Sequence, residues 1–403
     1  MILSFEDARR TVEDHAARLK PHARETVELL ASLGRVLADP LTADRDFPPF
    51  PRSTRDGYAV RSADLVKVPA TLTVVGEIKA GMPAGASPVN IGHSQAASIM
   101  TGAPAPVGSD AVVMVEYTSR IGDQVTVLQQ VSGGENIVPA GAEAKQGDLL
   151  LPAGTRVEYA GIAIAASVGK IRLEVYSRPK VAILATGDEV VEVRHQPASN
   201  QIRNSNTYSL AAQVLLSGGE PVLLPIAPDE PARLRELIRA GLKSQLLLLS
   251  GGVSMGKYDL VEQMLQDLNA EFFFTGAKIQ PGKPVVFGRV AAKYFFGLPG
   301  NPVSTMVTFE LFARPVLEAL AGMAPRKLIF LHARLKTEIK AKTGLKRFLP
   351  AQLSGEFDNA EVELARWQGS GDAAATARAN CYVVIPPDRE KIAAGEWVAV
   401  LPR

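Results

Sequence analysis

The sequence predicts a multidomain α/β-plus-β protein. It reads as a central α/β/α domain with a mainly parallel sheet, N-terminal helical and all-β subdomains, and a small β-barrel-like domain at the C-terminus. Three observations predict this. The 403 residues exceed what one ordinary core holds and call for two to four domains. From Lys180 to about Leu320, apolar runs alternate with helical patterns, the rhythm of βαβ units. On either side, short β-branched runs are separated by Gly/Pro turns.

Taken in order, Ser4 followed by Asp7 caps a helix, and Val27, Leu29, Leu30, Leu33 and Val36 extend a helical stripe over residues 4–38. The segment Asp46-Phe47-Pro48-Pro49-Phe50-Pro51-Arg52 breaks that pattern and reads as an extended arm. Ala70 to Val75, Ala111 to Val115 and Gln124 to Leu128 are strands of an all-β region. A helix over Tyr159–Ser167 and a strand over Ile171–Val175 follow. Next come strands at Val181–Ala185, Pro221–Pro225 and Leu246–Leu249, the last apolar throughout as a strand buried on both faces requires. Helices are predicted at Asn206–Leu216, Glu230–Leu242 and Tyr258–Leu268, and one long helix at Pro302–Leu320. Short strands return after Pro325. The implied domains are 1–45 with 145–178, an inserted all-β domain at 46–144, the α/β domain at 179–325 and the C-terminal β domain at 326–403.

Composition narrows the function classes. Apolar residues make up 46% and charged residues 21%, values of a folded globular chain. A net charge of +2 gives no reason to expect nucleic acid or an acidic membrane as partner. Cys381 is the single cysteine, so no internal disulfide can form, and the five histidines lack HExxH-like spacing. The N-terminus lacks the basic-then-apolar order of a signal peptide, and no apolar run approaches membrane-spanning length, so a soluble cytoplasmic protein is expected.

Chemistry concentrates at three strand–turn–helix junctions, where open α/β sheets bind ligands. The first runs from a buried strand into Thr186-Gly187-Asp188-Glu189, a glycine turn with adjacent carboxylates. The second is Ser250-Gly251-Gly252-Val253-Ser254, with Asp259 in the first turn of the helix that follows. Its glycines admit an anion close to the backbone and its serines add donors. The third, Pro299-Gly300-Asn301-Pro302-Val303-Ser304, sets Pro302 at the first helical position and Ser304 in the first turn. Each junction alone also fits ordinary turn and capping chemistry. Together they describe a pocket with several anion sites and carboxylates, suited to a phosphorylated or adenylylated substrate with Mg²⁺. No P-loop or GxGxxG pattern is present.

These residues resemble the molybdopterin-binding domain of the molybdopterin molybdenumtransferases, a family that includes bacterial MoeA and the E-domain of gephyrin. Arg55-Asp56-Gly57-Tyr58-Ala59-Val60, Glu77-Ile78-Lys79-Ala80-Gly81, Ile99-Met100-Thr101-Gly102-Ala103-Pro104 and Pro281-Gly282-Lys283-Pro284 resemble further family signatures in the family's order. The resemblance implies four subdomains and a homodimer in which the β subdomain of one subunit closes the cleft of the other. It implies a Mg²⁺-dependent transferase that consumes molybdate and adenylylated molybdopterin and releases AMP. Transient contact with other molybdenum-cofactor synthesis proteins is also expected. Carried over residue by residue, Asp56, Thr101, Glu189, Asp229 and Asp259 would be catalytic, and Asp188, Glu189 and Asp259 would hold the metal. Thr186, Gly187, Ser250, Gly251, Gly252, Ser254, Pro299, Gly300, Asn301, Lys283, Ser304 and Ser370 would bind substrate, the last three lysine and hydroxyl groups around molybdate.

The sequence departs from the family pattern in places. Two lysines common upstream of Pro281 align with Gly276 and Gln280, and Lys278 stands between them. Gly344-Leu345-Lys346-Arg347-Phe348 replaces an arginine-bearing GRxxF stretch, and Pro350 stands where arginine is common. Altered oxyanion selectivity, such as tungstate use, follows as a hypothesis. Two other classes compete: a gephyrin-like non-catalytic scaffold, and a relative that only binds or adenylylates molybdopterin.

Overall fold

The computed structural model describes residues 1–82, 89–252 and 260–403. They form two compact units, one of Asp39–Ala153 and Tyr159–Ile171, the other of Met1–Ala38, Gly154–Glu158 and Arg172–Arg403.

The N-terminal helix α1, Phe5–Ala16, belongs to the larger unit and is capped by Ser4, whose side chain accepts from the Asp7 N–H. The smaller unit contains β1 (Gly57–Val60), β2 (Ala70–Ile78), β3 (Gln95–Ile99), β4 (Ala111–Met114), β5 (Thr118–Ile121) and β6 (Gln124–Val127), then helix α2 (Tyr159–Ser167). Its sheet runs β4-β1-β3-β2-β6-β5, with only β2 and β3 parallel. Period-two alternation divides β1 between two cores: Tyr58 and Val60 join Leu72, Val113 and Val125, while Ala59 joins Ile78, Ile99 and Val112. Gly57 has no room for a side chain, because a Cβ there would lie 1.9 Å from the Val113 carbonyl oxygen.

The larger unit is built on β7 (Lys180–Ala185), α3 (Ser205–Leu216), β8 (Glu220–Leu223), α4 (Pro231–Gly241), β9 (Leu246–Ser250), α5 (Leu260–Asp267), β10 (Glu271–Phe274), β11 (Val286–Val290), β12 (Lys293–Leu298), α6 (Pro302–Thr308) and α7 (Arg314–Leu320). Its sheet order is β8-β7-β9-β12-β11-β10. The first four strands are parallel, and β11 and β10 complete the edge antiparallel. Val181, Ile183, Leu246 and Leu248 pack toward α1, α3 and the α6–α7 segment, whereas Ala182, Leu184, Leu247 and Leu249 pack toward α4 and α5. Both faces are therefore covered, which is why these strands read as unbroken apolar runs. The C-terminal part carries β13 (Leu331–Leu335), β14 (Lys346–Ser354), β15 (Glu361–Leu364), β16 (Cys381–Ile385) and β17 (Trp397–Pro402). They close into a five-stranded barrel in the order β14-β15-β13-β17-β16, with β16 pairing back on β14.

Three expectations change. The helix expected over 4–38 ends at Ala16; Pro21 follows, and Arg24–Glu28 is a strand paired antiparallel with Arg172–Tyr176. Leu30 and Leu33, taken for a buried stripe, are exposed at 79% and 58%. The long helix expected over Pro302–Leu320 is interrupted by a π turn at Phe309–Ala313, just before Pro315, which has no N–H to continue the ladder. Strand β14 was not anticipated; it carries Pro350 near its middle, a residue seldom found inside a strand.

Candidate active site

The parallel strands end in register: Ala185 pairs with Ser250, and Ser250 with Leu298. The three glycine turns that follow them therefore emerge side by side. They meet in a cavity of about 380 Å³ lined by Thr186, Glu189, Ser250, Gly251, Gly252, Pro299, Gly300 and Asn301, with Pro284 of the Pro281–Pro284 turn. Backbone bonds lock the turns together. The Thr186 N–H donates to the Ser250 carbonyl at 3.0 Å and the Gly251 N–H to the Leu298 carbonyl at 3.2 Å. Positive φ at Gly251 (+92°) and Gly252 (+65°) lets the chain turn there, and a Cβ on Gly251 would sit 2.8 Å from the Thr186 carbonyl.

Glu189 folds back over the first turn: a Cβ on Gly187 would lie 2.6 Å from its Oε2. Asp188 is exposed, and its Oδ1 accepts from the Asp229 N–H at 3.0 Å. Burial, reinforced by the Asp188 and Glu189 charges, pushes the Asp229 carboxyl above its ordinary range. These are hard oxygen donors of the kind Mg²⁺ takes, and the mutual repulsion on Asp229 is what a cation would relieve. Among the described residues, however, no three such side chains group closely enough to hold a metal ion. Ser254 and Asp259 lie outside the described residues.

The third junction has a flank of its own. Asn301 spans to Ser370, its Nδ2 donating to Oγ at 2.9 Å, and the Val303 N–H donates to the Ser370 carbonyl at 3.0 Å. Thr305 Oγ1 donates to the Pro299 carbonyl at 2.5 Å and pins the turn. Ser304 is buried in the first turn of α6 and does not line the cavity. Gly282 packs against that helix, since a Cβ on it would meet Thr308 Cγ2 at 2.3 Å and the Ser304 carbonyl at 3.6 Å. Lys283, next along, is exposed. Lys278 and Gln280 are exposed to either side of buried Ile279, and Gln280 Oε1 accepts from the buried Arg347 Nε at 2.7 Å. In the smaller unit, Asp56 and Thr101 come together: the Thr101 N–H donates to Asp56 Oδ1 at 2.7 Å.

Sequence reasoning missed one wall. Ile202, Arg203, Asn204, Ser205 and Asn206 line the cavity through the start of α3. Their signal was the Asn204-Ser205-Asn206 run immediately ahead of an apolar helical pattern, a capping sequence that read only as a helix start.

Comparison with known proteins fits this geometry. Family models match along the chain: "MoeA N-terminal region (domain I and II)" at residues 3–169, "Probable molybdopterin binding domain" at 182–319 and "MoeA C-terminal region (domain IV)" at 332–402. A molybdopterin molybdenumtransferase of Nostoc sp. is 37% identical over 384 residues, covering 94% of this chain and 88% of that protein. The chain belongs to the molybdopterin molybdenumtransferase family. The member from Haemophilus influenzae is 32% identical and covers 95% of this chain and 94% of its own. Among solved structures, a molybdopterin biosynthesis MoeA protein from Pyrococcus horikoshii OT3 superposes with a TM-score of 0.79 at 28% identity, covering 100% of both chains. The cavity falls wholly within the stretch matched by the family's molybdopterin-binding domain. Among the described residues no helix is long and apolar enough to cross a membrane.

Proposed function

We propose that the chain transfers molybdenum from molybdate to adenylylated molybdopterin, releasing AMP and forming the molybdenum cofactor. The observation that carries this reading is the in-register convergence of three glycine turns on one cavity of about 380 Å³ with Glu189 at its edge. That volume lies in the range of small-molecule sites, roughly 300–1,000 Å³. The glycine turns supply backbone N–H groups for the anionic parts of the substrate. Lys283, Ser304 and Ser370, on the α6 flank, receive molybdate through a cation and hydroxyls. Glu189 and Asp229 orient water at the linkage that releases AMP, and Asp229, its carboxyl pushed above the ordinary range by burial and by the Asp188 and Glu189 charges, takes up the proton.

Glu189 and Asp259, with Asp188, would hold Mg²⁺, which when bound neutralises charge on the pyrophosphate-like linkage. Asp56 and Thr101 face the cleft of the partner subunit in a homodimer, and the chain works as a cytoplasmic enzyme in transient contact with others of the same synthesis. The division into four domains, at 1–45 with 145–178, 46–144, 179–325 and 326–403, belongs to the same reading.

The test is AMP release from adenylylated molybdopterin, followed with and without molybdate. Molybdate-dependent release with formation of active cofactor is expected. Tight nucleotide binding without molybdate-dependent release would instead assign the chain to binding or scaffolding.

A further inference from the structure

We propose that the cavity between α7 and the end of β17 is a second binding site, one for a small amphiphilic anion: a monocarboxylate with a short apolar body. It shares no lining residue with the glycine-turn cavity, and nothing in it depends on the reaction proposed above.

The cavity holds about 300 Å³. Its walls come from α1, α7, the segment 326–331 that leads into β13, and the end of β17. Five cationic side chains line it, Arg9, Arg314, Arg326, Lys327 and Arg403, against one carboxylate, Glu318. That carboxylate is already shared. Its Oε1 accepts from Arg314 Nε at 2.8 Å and its Oε2 from Arg326 Nε at 3.1 Å. Glu13 and Glu310 pair with Arg9 and Arg314 from outside the lining. Lys327 is exposed and pairs with no carboxylate among the described residues. Arg9 is buried, and a guanidinium has five N–H donors, of which the bonds to Glu13 and the Leu311 carbonyl use two. Burial lowers the pKa of this guanidinium, and Arg314 adds repulsion to it. Cations gathered around a single, fully engaged carboxylate repel one another, and an entering anion relieves that repulsion.

The rest of the lining is apolar, and part of it is open. Ile329 is 71% exposed and Leu331 45%, and both line the cavity with buried Leu401. An inorganic anion would leave this apolar surface wet, and a neutral apolar molecule would leave the cations unmet. A molecule with both parts satisfies both. Glu318 in the lining opposes a dianion, which favours a singly charged carboxylate as the head group. Arginine suits it, because the planar guanidinium fork meets a carboxylate edge to edge. The volume sits at the low end of the roughly 300–1,000 Å³ of small-molecule sites, so the apolar body is short, on the order of eight carbons.

The test titrates octanoate, acetate and octanol calorimetrically into the full chain, at low and at high NaCl, and octanoate into Lys327→Glu and Ile329→Ser. Both substituted side chains are exposed, so Tm should stay as in the wild type. The wild type should bind octanoate at one site, and acetate and octanol each at least about tenfold more weakly. Salt should weaken octanoate and spare octanol. Lys327→Glu should weaken octanoate about fivefold and flatten its salt dependence, the mark of a lost head-group charge. Ile329→Ser should weaken octanoate about threefold and leave the salt dependence as it was, the mark of a lost apolar contact. Octanol or acetate bound as tightly as octanoate, no single saturable site, or wild-type octanoate affinity in either variant overturns the site. Should a variant lose Tm, the three ligands and the salt series on the wild type decide alone: octanoate preferred and salt-sensitive upholds the site, and any other pattern removes it.

Discussion

The Arg9 guanidinium donates to the Leu311 carbonyl, the one that the residue four positions on, Pro315, cannot serve. The π turn at Phe309–Ala313 and the N-terminal helix are thus coupled: a backbone defect in one element is completed by a side chain from α1. Arg9 is 8% exposed, and its Nε also pairs with Glu13 at 2.9 Å. Arg9→Met keeps the apolar stem but strands the carbonyl. It is expected to cost about 1–3 kcal/mol in urea denaturation. A change within about 0.5 kcal/mol, the range of neutral surface substitutions, would show that water replaces the guanidinium.

Glu318 makes stability depend on acid. Burial raises its carboxyl pKa, but hydrogen bonds from Arg326 and Arg314 outweigh that and hold it below the ordinary 4.5. A lowered folded value means that ionised Glu318 stabilises the fold above pH 4.5 and that this contribution is lost as pH falls through the folded value. Glu318→Gln should therefore destabilise at pH 7 by about 1–3 kcal/mol, the worth of hydrogen bonds between charged groups, since the arginines left behind are partly exposed. The gap between variant and wild type should close on acidification. Parallel stability curves down to low pH would place the pairing energy elsewhere.

Much of this was legible in the sequence, and the exceptions have physical causes. The βαβ rhythm from Lys180 could be read because strands covered on both faces have to be apolar throughout, as Leu246–Leu249 is. Helix α2 was legible to its ends, Tyr159 and Ser167. Residues 24–28 were not, because an exposed two-stranded ribbon leaves no buried period to read, and only pairing with Arg172–Tyr176 makes it a strand. At the site, the glycine turns announced themselves, but their convergence depends on the pairing register of Ala185, Ser250 and Leu298, which no single segment encodes. Asn206 was missed because its partners, Ser250 and Gly300, lie 44 and 94 residues away.

Lys278 tests whether the oxyanion site has been rebuilt. It is exposed, as is Gln280, with Ile279 buried between them, so both project from the same side of the chain. Gln280 is already engaged by Arg347. Lys278→Ala is expected to lower turnover about tenfold at limiting molybdate and to matter little at saturation, the mark of lost oxyanion binding. Assays with tungstate in place of molybdate should show the same loss. Unchanged turnover at limiting molybdate removes the lysine from the site.

Glu189 separates binding from chemistry. Its carboxylate lies over Gly187 on the cavity edge and helps raise the Asp229 carboxyl pKa. Glu189→Gln keeps the shape and removes the charge. Repulsion toward an anionic substrate falls, so AMP and adenylylated molybdopterin should bind as well as in wild type or better. Positioning of the attacked linkage is lost, so molybdate-dependent AMP release should drop by about a hundredfold or more. Stimulation by Mg²⁺ should weaken in parallel, because a carbonyl oxygen replaces an anionic ligand. Turnover at the wild-type rate with unchanged Mg²⁺ response would move both roles to the other carboxylates, and Asp229→Asn would then be the variant that loses AMP release.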